Sequence, residues 1–175
     1  MGKRSNFDKK RPKDYWSTLD DGAIVPPFVS LVRGKTYAEP CYGEGHLEDH
    51  LMDIATCKWR SDVRKTVGCS KIQDANKITK GDLKDCDLII TNPPFSWELL
   101  KPLLDHLPTL KPTWLLLPAN VMHNKRMGPY MRNCAYVISI GRLYWMENKV
   151  RGVDDFAWFR FHEEWDRTRF IGRGA

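Results

Sequence analysis

The stretch Cys86-Asp87-Leu88-Ile89-Ile90-Thr91-Asn92-Pro93-Pro94-Phe95 constrains this chain more than any other. Its apolar run, Leu88 to Ile90, reads as a buried strand, and the residues after it stop that strand abruptly. Pro93 and Pro94 fix φ and donate no hydrogen bond, so the chain beyond the strand is stiff and its carbonyls point outward. Asn92 then presents an amide oxygen and an amide nitrogen at a strand's carboxyl end, where open α/β sheets bind ligands. Phe95 adds a flat apolar face. An acceptor pair beside an aromatic ring suits a planar group that carries an exocyclic amine.

The flanking sequence alternates strand and helix patterns. A helix with proline in its first turn is expected from Pro26, and a strand over residues 36–39. That strand runs into Glu39-Pro40-Cys41-Tyr42-Gly43-Glu44-Gly45, where two glycines permit a tight turn and let a ligand lie against bare backbone. A helix over residues 46–53 follows. His46-Leu47-Glu48 comes directly after Gly45, so the third glycine of a dinucleotide fingerprint is missing, which argues against a nicotinamide or flavin enzyme. Further strands are expected over residues 56–60, 71–73, 113–117, 136–140 (continued by 143–145) and 154–161. Ser96 is placed to cap a helix bearing Leu99, Leu100, Leu103, Leu104 and Leu107, with Pro102 near its start. Asp62, after the second strand, is placed for ribose hydroxyls, 17 residues beyond Gly45. Asp74, or its competitor Asp82, is placed for an adenine amine.

Asn92-Pro93-Pro94-Phe95 resembles the Asn-Pro-Pro-Phe/Tyr/Trp catalytic motif of S-adenosylmethionine-dependent amino-methyltransferases, chiefly the adenine-N6 DNA methyltransferases. The segment from Glu39 to Gly45 is similar to the Glu/Asp-Pro-x-x-Gly-x-Gly cofactor loop of that family. The two motifs stand in the family's order, 47 residues apart from Gly45 to Asn92, and the resemblance covers roughly residues 14–162. It implies a Rossmann-like class I methyltransferase fold, α/β, with a mostly parallel central sheet and an antiparallel C-terminal strand. It implies S-adenosyl-L-methionine as cofactor and a small single-domain member of the phage or bacterial kind. Asn92, Pro93, Pro94 and Phe95 would be catalytic, the Asn92 oxygen and the Pro93 carbonyl accepting the target amine and Phe95 stacking on the base. Glu39, Pro40, Gly43, Gly45, Asp62, Asp74 and Asn92 would line the cofactor site, Glu39 holding the methionine ammonium. Trp16 and Thr18 loosely match a Tyr-x-Thr-Pro segment that lies against the cofactor's methionine end; Leu19 stands where that pattern has proline.

Charge points to the partner. The net charge of +6 is concentrated in residues 1–13, where six cations meet only Asp8, and in residues 121–153, where six more meet only Glu147. Two basic blocks on a nearly neutral body suit a polyanion. Lys9, Lys10, Arg11, Lys125 and Arg126 are therefore the expected nucleic-acid contacts, with DNA the expected substrate and RNA the alternative. Cytosine N4, a protein glutamine amide, or a binder without turnover are the other readings. Residues 1–13 are expected to be a flexible basic arm and 14–175 one methyltransferase domain without a separate target-recognition domain. The 175 residues suffice for one core, and no apolar run reaches the ~18–20 residues of a membrane span. No signal peptide is legible, and five cysteines without a Cys-x-x-Cys pair read as a reducing cytoplasm. Cys41, His46, His50 and Cys57 match no closed zinc pattern, so no metal is expected. A monomer is the expected state.

Overall fold

The computed structural model describes Asp14, residues 16–162 and residues 167–174. The expected basic arm, with Lys9, Lys10 and Arg11, lies outside the described residues. Helix α1 (Pro26–Val32) starts on two prolines whose missing N–H groups have no partner to lose in a first turn. Strand β1 (Thr36–Glu39) leads through the double-glycine turn into α2 (His46–Leu51). Then come β2 (Thr56–Asp62), β3 (Lys71–Ile72) and β4 (Leu88–Thr91), the last buried at every position. Helix α3 (Trp97–Leu110) precedes β5 (Thr113–Pro118), the short α4 (Gly128–Met131), and the long strands β6 (Cys134–Tyr144) and β7 (Arg151–Phe161). A three-residue β8 (Arg169–Ile171) follows.

These strands make one eight-stranded sheet in the order β3-β2-β1-β4-β5-β7-β6-β8. Strands β1 to β5 are mutually parallel, β7 runs antiparallel to both β5 and β6, and β8 pairs parallel with β6. The order reverses between β1 and β4, which opens a crevice at their carboxyl ends. The period-two alternation of a strand sorts the core into two layers. Leu88, Ile90, Trp114, Leu116 and Trp158 face α1 and α2. Ile89, Leu115, Leu117, Phe159 and Phe161 face the buried leucines of α3. On the first face Phe28 lies flat on Trp158, ring centroids 4.3 Å apart, and edge-on to Trp114 at 5.2 Å.

Four details differ from the sequence reading. Strand β2 continues two residues past position 60, so Asp62 closes the strand instead of following it. Ser96 is the N-cap of α3 without a side-chain bond, and Leu99 is 49% exposed instead of lying in the apolar stripe. Strands β6 and β7 are longer than expected: β7 pairs with β5 only from Phe156 onward, so residues 151–155 and 142–144 form a two-stranded ribbon beyond the sheet. Strand β8 has no counterpart among the expected elements, because three residues are too few to show alternation.

Candidate functional site

Glu39 ends β1, Asp62 ends β2 and Asn92 follows β4, and all three line one cavity of about 290 Å³ at the carboxyl edge of the sheet. The turn after β1 forms one wall. Gly43 and Gly45 have φ of 58° and 88°, the left-handed region that side chains rarely adopt. A Cβ on Gly45 would lie 2.5 Å from the Tyr42 hydroxyl, so side-chain packing as well as backbone demands glycine there. Asp62 holds the turn in shape: Gly43 N–H donates to Oδ2 and Arg64 N–H to Oδ1, each at 2.9 Å. Oδ2 keeps a second lone pair for a ligand hydroxyl, while the Arg64 guanidinium stands 3.6 Å from Oδ1.

Glu39 is 1% exposed, and its Oε2 has no hydrogen-bond partner among the described residues. Burial raises its pKa well above the ordinary carboxylate range, and the neighbouring Glu48 adds to the rise. Arg60 pulls the other way without reversing the shift, since its guanidinium is committed to an ion pair with Glu48. A carboxyl kept dry and unpaired on a cavity wall is a receptor for a cation or a strong donor. Asp74 also lines the cavity, its Oδ1 accepting from the Asn76 backbone and side-chain nitrogens at 2.9 and 3.0 Å. Asp82 is not on that wall; it binds the Thr79 N–H and hydroxyl and the Lys71 ammonium. Placement therefore favours Asp74 over its competitor.

Asn92 is 8% exposed and its two ends differ sharply. Nδ2 donates to the Trp16 carbonyl at 2.7 Å and to Thr18 Oγ1 at 3.1 Å, while Oδ1 is buried without a hydrogen-bond partner among the described residues. Pro93 is buried behind it and Pro94 lines the cavity. Phe95 does not present the open face expected of it. Trp16 stacks on it at 6.0 Å and 21°, and Trp145 and Phe156 close in at 6.1 and 5.7 Å. Trp16 and Thr18 line the cavity, and their contact with Asn92 was not foreseen. An aromatic two positions and a hydroxyl four positions after Asp14 were the available signal; the pairing across more than 70 residues was not. Tyr42, Leu99 and Leu103 also line the cavity without having been singled out.

Lys125 and Arg126 are exposed on a single 3-10 turn, Lys125–Met127. The Arg126 guanidinium sits 5.1 Å over the ring of Trp97, the first residue of α3, which ties this basic turn to the segment leaving Phe95. Among the described residues no cluster of His, Cys, Asp or Glu is arranged to hold a metal, and no helix is long and apolar enough to cross a membrane.

No protein-family model matches the sequence, and no curated protein sequence matches it. Solved structures do match. A candidate RNA methyltransferase from Pyrococcus horikoshii superposes with a TM-score of 0.56 at 15% identity, over 77% of this chain and 78% of that one. An S-adenosylmethionine-dependent O-methyltransferase from Thermotoga maritima gives 0.53 at 10% identity, over 91% of this chain and 70% of that one. The modification subunit of a candidate type I restriction enzyme from Vibrio vulnificus gives 0.52 at 11% identity. That match covers 90% of this chain but 47% of the subunit, so this chain spans about half its length. Identities this low speak for architecture alone, and the architecture is the class I methyltransferase fold.

Proposed function

We propose that this chain transfers a methyl group from S-adenosylmethionine to the exocyclic N6 amine of adenine in DNA. The observation that carries the reading is the Asn92 amide, whose nitrogen is tied down and whose buried oxygen is left unpartnered beside the cavity. An amine whose lone pair is delocalised into its ring is a poor nucleophile. Accepting its N–H bonds at Asn92 Oδ1 and the Pro93 carbonyl draws the nitrogen toward tetrahedral geometry and stabilises the positive charge that develops there. Bound S-adenosylmethionine supplies the methyl on a sulfonium: the new N–C bond forms as the S–C pair returns to sulfur, and the amine's surplus proton passes to solvent.

The residues on the wall fit such a cofactor. The unpartnered Glu39 carboxyl suits the methionine ammonium. Gly43 and Gly45, with Pro40 before them, leave backbone for it to lie against, and the spare lone pair of Asp62 Oδ2 suits a ribose hydroxyl. Asp74 is the acceptor for the adenine amine of the cofactor, and Trp16 and Thr18 close the methionine end. Five acidic side chains on the wall, Asp14, Glu39, Glu44, Asp62 and Asp74, also favour a cationic sulfonium over a neutral product. The target base would leave the duplex, at a cost of a few kcal/mol, to rest against the Trp16–Phe95–Trp145 cluster. Lys125 and Arg126, with Lys9, Lys10 and Arg11 of the arm, would meet phosphates, and residues 14–175 would act as one domain in a cytosolic setting that keeps all five thiols free.

Incubation with methyl-tritiated cofactor and duplex DNA, RNA or protein, followed by mass spectrometry of the product, tests the reading. N6-methyladenine in DNA is the expected product. Label in cytosine, RNA or glutamine moves the substrate elsewhere. No label despite cofactor binding makes the chain a binder without turnover.

A further inference from the structure

We propose that the Trp16 carbonyl and the Thr18 hydroxyl form a positioning device that dictates which end of the Asn92 side chain faces the reacting amine. The inference rests on the reading of Asn92 as the acceptor and adds what aims it. The two ends of a side-chain amide are nearly equal in size, so packing alone cannot distinguish them; hydrogen bonding must. If the amide turned over, it would point an NH2 at the target's NH2, donor against donor.

The Trp16 carbonyl can only accept. At 2.7 Å it selects nitrogen over oxygen at that end, because a turned amide would set two carbonyl oxygens against each other. Thr18 Oγ1 takes the second Nδ2 hydrogen at 3.1 Å, so both donors are used and only Oδ1 remains open. The segment bearing these acceptors does not lean on Asn92 for its own position. His50 Nε2–H donates to the Thr18 carbonyl at 3.0 Å. The buried Asp20 accepts Gly22 N–H at 2.9 Å and Tyr144 N–H at 3.0 Å, and Trp158 Nε1–H donates to the Ala23 carbonyl at 2.7 Å. Residues 16–24 are thus fastened to α2, β6 and β7 before they touch the residue they aim. The Trp16 ring, stacked on Phe95, fixes the same peptide from its other side.

Changing the charge at position 92 exposes the device. In Asn92→Asp one carboxyl oxygen must face the Trp16 carbonyl, and only a protonated oxygen is attracted there. The protonated acid reproduces the amide, with O–H toward Trp16 and the bare oxygen toward the target. The anion is repelled and loses that orientation.

Three variants test this in the full chain, with adenine-containing duplex DNA and S-adenosylmethionine as the probes. Thr18→Val, which keeps the shape but not the hydroxyl, is expected to lower kcat ~10-fold or more at saturating cofactor, with duplex KM within ~3-fold. Thr18→Ser restores most of the loss. The kcat of Asn92→Asp relative to the parent rises as pH falls from about 8 to about 6. Taking the ratio to the parent removes the titration of Glu39 on β1, Asp62 on β2, Asp74, Glu44 and His46 on the cavity wall and His50 behind Thr18. Equal kcat for Thr18→Val and Thr18→Ser, or an Asn92→Asp ratio flat with pH, overturns the proposal. A readout without substrate keeps the test separate from the choice of DNA. The Asn92 Nδ2 protons, identified in NMR spectra by their absence from Asn92→Ala, should exchange slowly with water in the parent and Thr18→Ser and rapidly in Thr18→Val. Rapid exchange in the parent overturns the positioning role even if the parent methylates DNA; an inactive parent with slow exchange sinks the choice of substrate and leaves the device standing.

Discussion

The two sides of Asn92 are built on opposite plans. Toward β1, β2 and β3 the wall is acidic: Glu39 buried with its Oε2 unpartnered among the described residues, Asp62 buried and bracing the glycine turn, Asp74 half-buried and capping a short turn of its own. Toward β6 and β7 it is aromatic and then basic, with Trp16, Phe95, Trp145 and Phe156 packed together and the cations Lys125 and Arg126 out in solvent. The difference matches what each side would hold. A small cation is recognised by few groups, which gain strength by being dry, and a protein tolerates the desolvation of one carboxyl for that purpose. A long polyanion is recognised by many weak contacts that need no burial. Asn92, at the boundary, is neutral: its nitrogen is tied to Trp16 and Thr18, and its oxygen has no partner among the described residues.

The most severe way to break the acidic side is through its backbone. Gly43→Val sets a β-branched residue at φ 58°, so cofactor binding measured by calorimetry should vanish while thermal unfolding stays cooperative; retained binding would take the turn out of the site. At the boundary, Asn92→Ala should keep cofactor affinity within a few-fold while turnover falls by ~10²-fold or more. Loss of both in parallel would mean that Asn92 only supports the wall.

Glu39→Gln separates binding from stability. In the folded protein burial and then Glu48 hold the Glu39 proton on above the ordinary carboxylate range. Between the unfolded pKa and that raised value the native state binds more protons than the unfolded chain, so the stability of the ligand-free protein falls as pH rises through this window. The neutral isostere removes that fall, and Tm at neutral pH should increase, by ~2–4 °C for each kcal/mol regained. Cofactor affinity should drop ~10–100-fold for the lost charge-assisted bond. An unchanged Tm together with unchanged affinity would show that Glu39 serves neither purpose. The smallest effect belongs to the basic side. Lys125→Ala with Arg126→Ala should flatten the log–log salt dependence of DNA binding by up to ~2, at ~0.9 per phosphate released. Identical slopes for variant and parent would reduce this turn to solvation.

What could be read in the sequence follows the range of the interactions. Strands β4 and β5 carry continuous apolar runs that stop at proline and β1 runs directly into Pro40, and the ends of β1 and β4 deliver Glu39 and Asn92 to the same edge by local rules alone. Asp62 lies on the cavity wall although its strand runs longer than expected, because its position at the carboxyl end of β2 decides where it sits. Leu99 was misjudged because helical spacing cannot tell a core face from the rim of a cavity. The solitude of Glu39 Oε2 and the pinning of Asn92 Nδ2 depend on which distant groups arrive nearby, and no local pattern encodes that.

Residues 16–24 bond Asn92 across 76 and 74 positions, Tyr144 across 124 and Trp158 across 135. Closing such spans is entropically expensive and belongs to the late, slow stage of folding. A chain synthesised only as far as β5 already contains the glycine turn, Asp62 and the proline motif, yet lacks the strands that moor its own beginning over Asn92. Such a chain would keep the His50 anchor of Thr18 but lack the partners of Asp20 and Ala23. On the proposed function, full competence would therefore await the last strands even where the glycine turn is already complete.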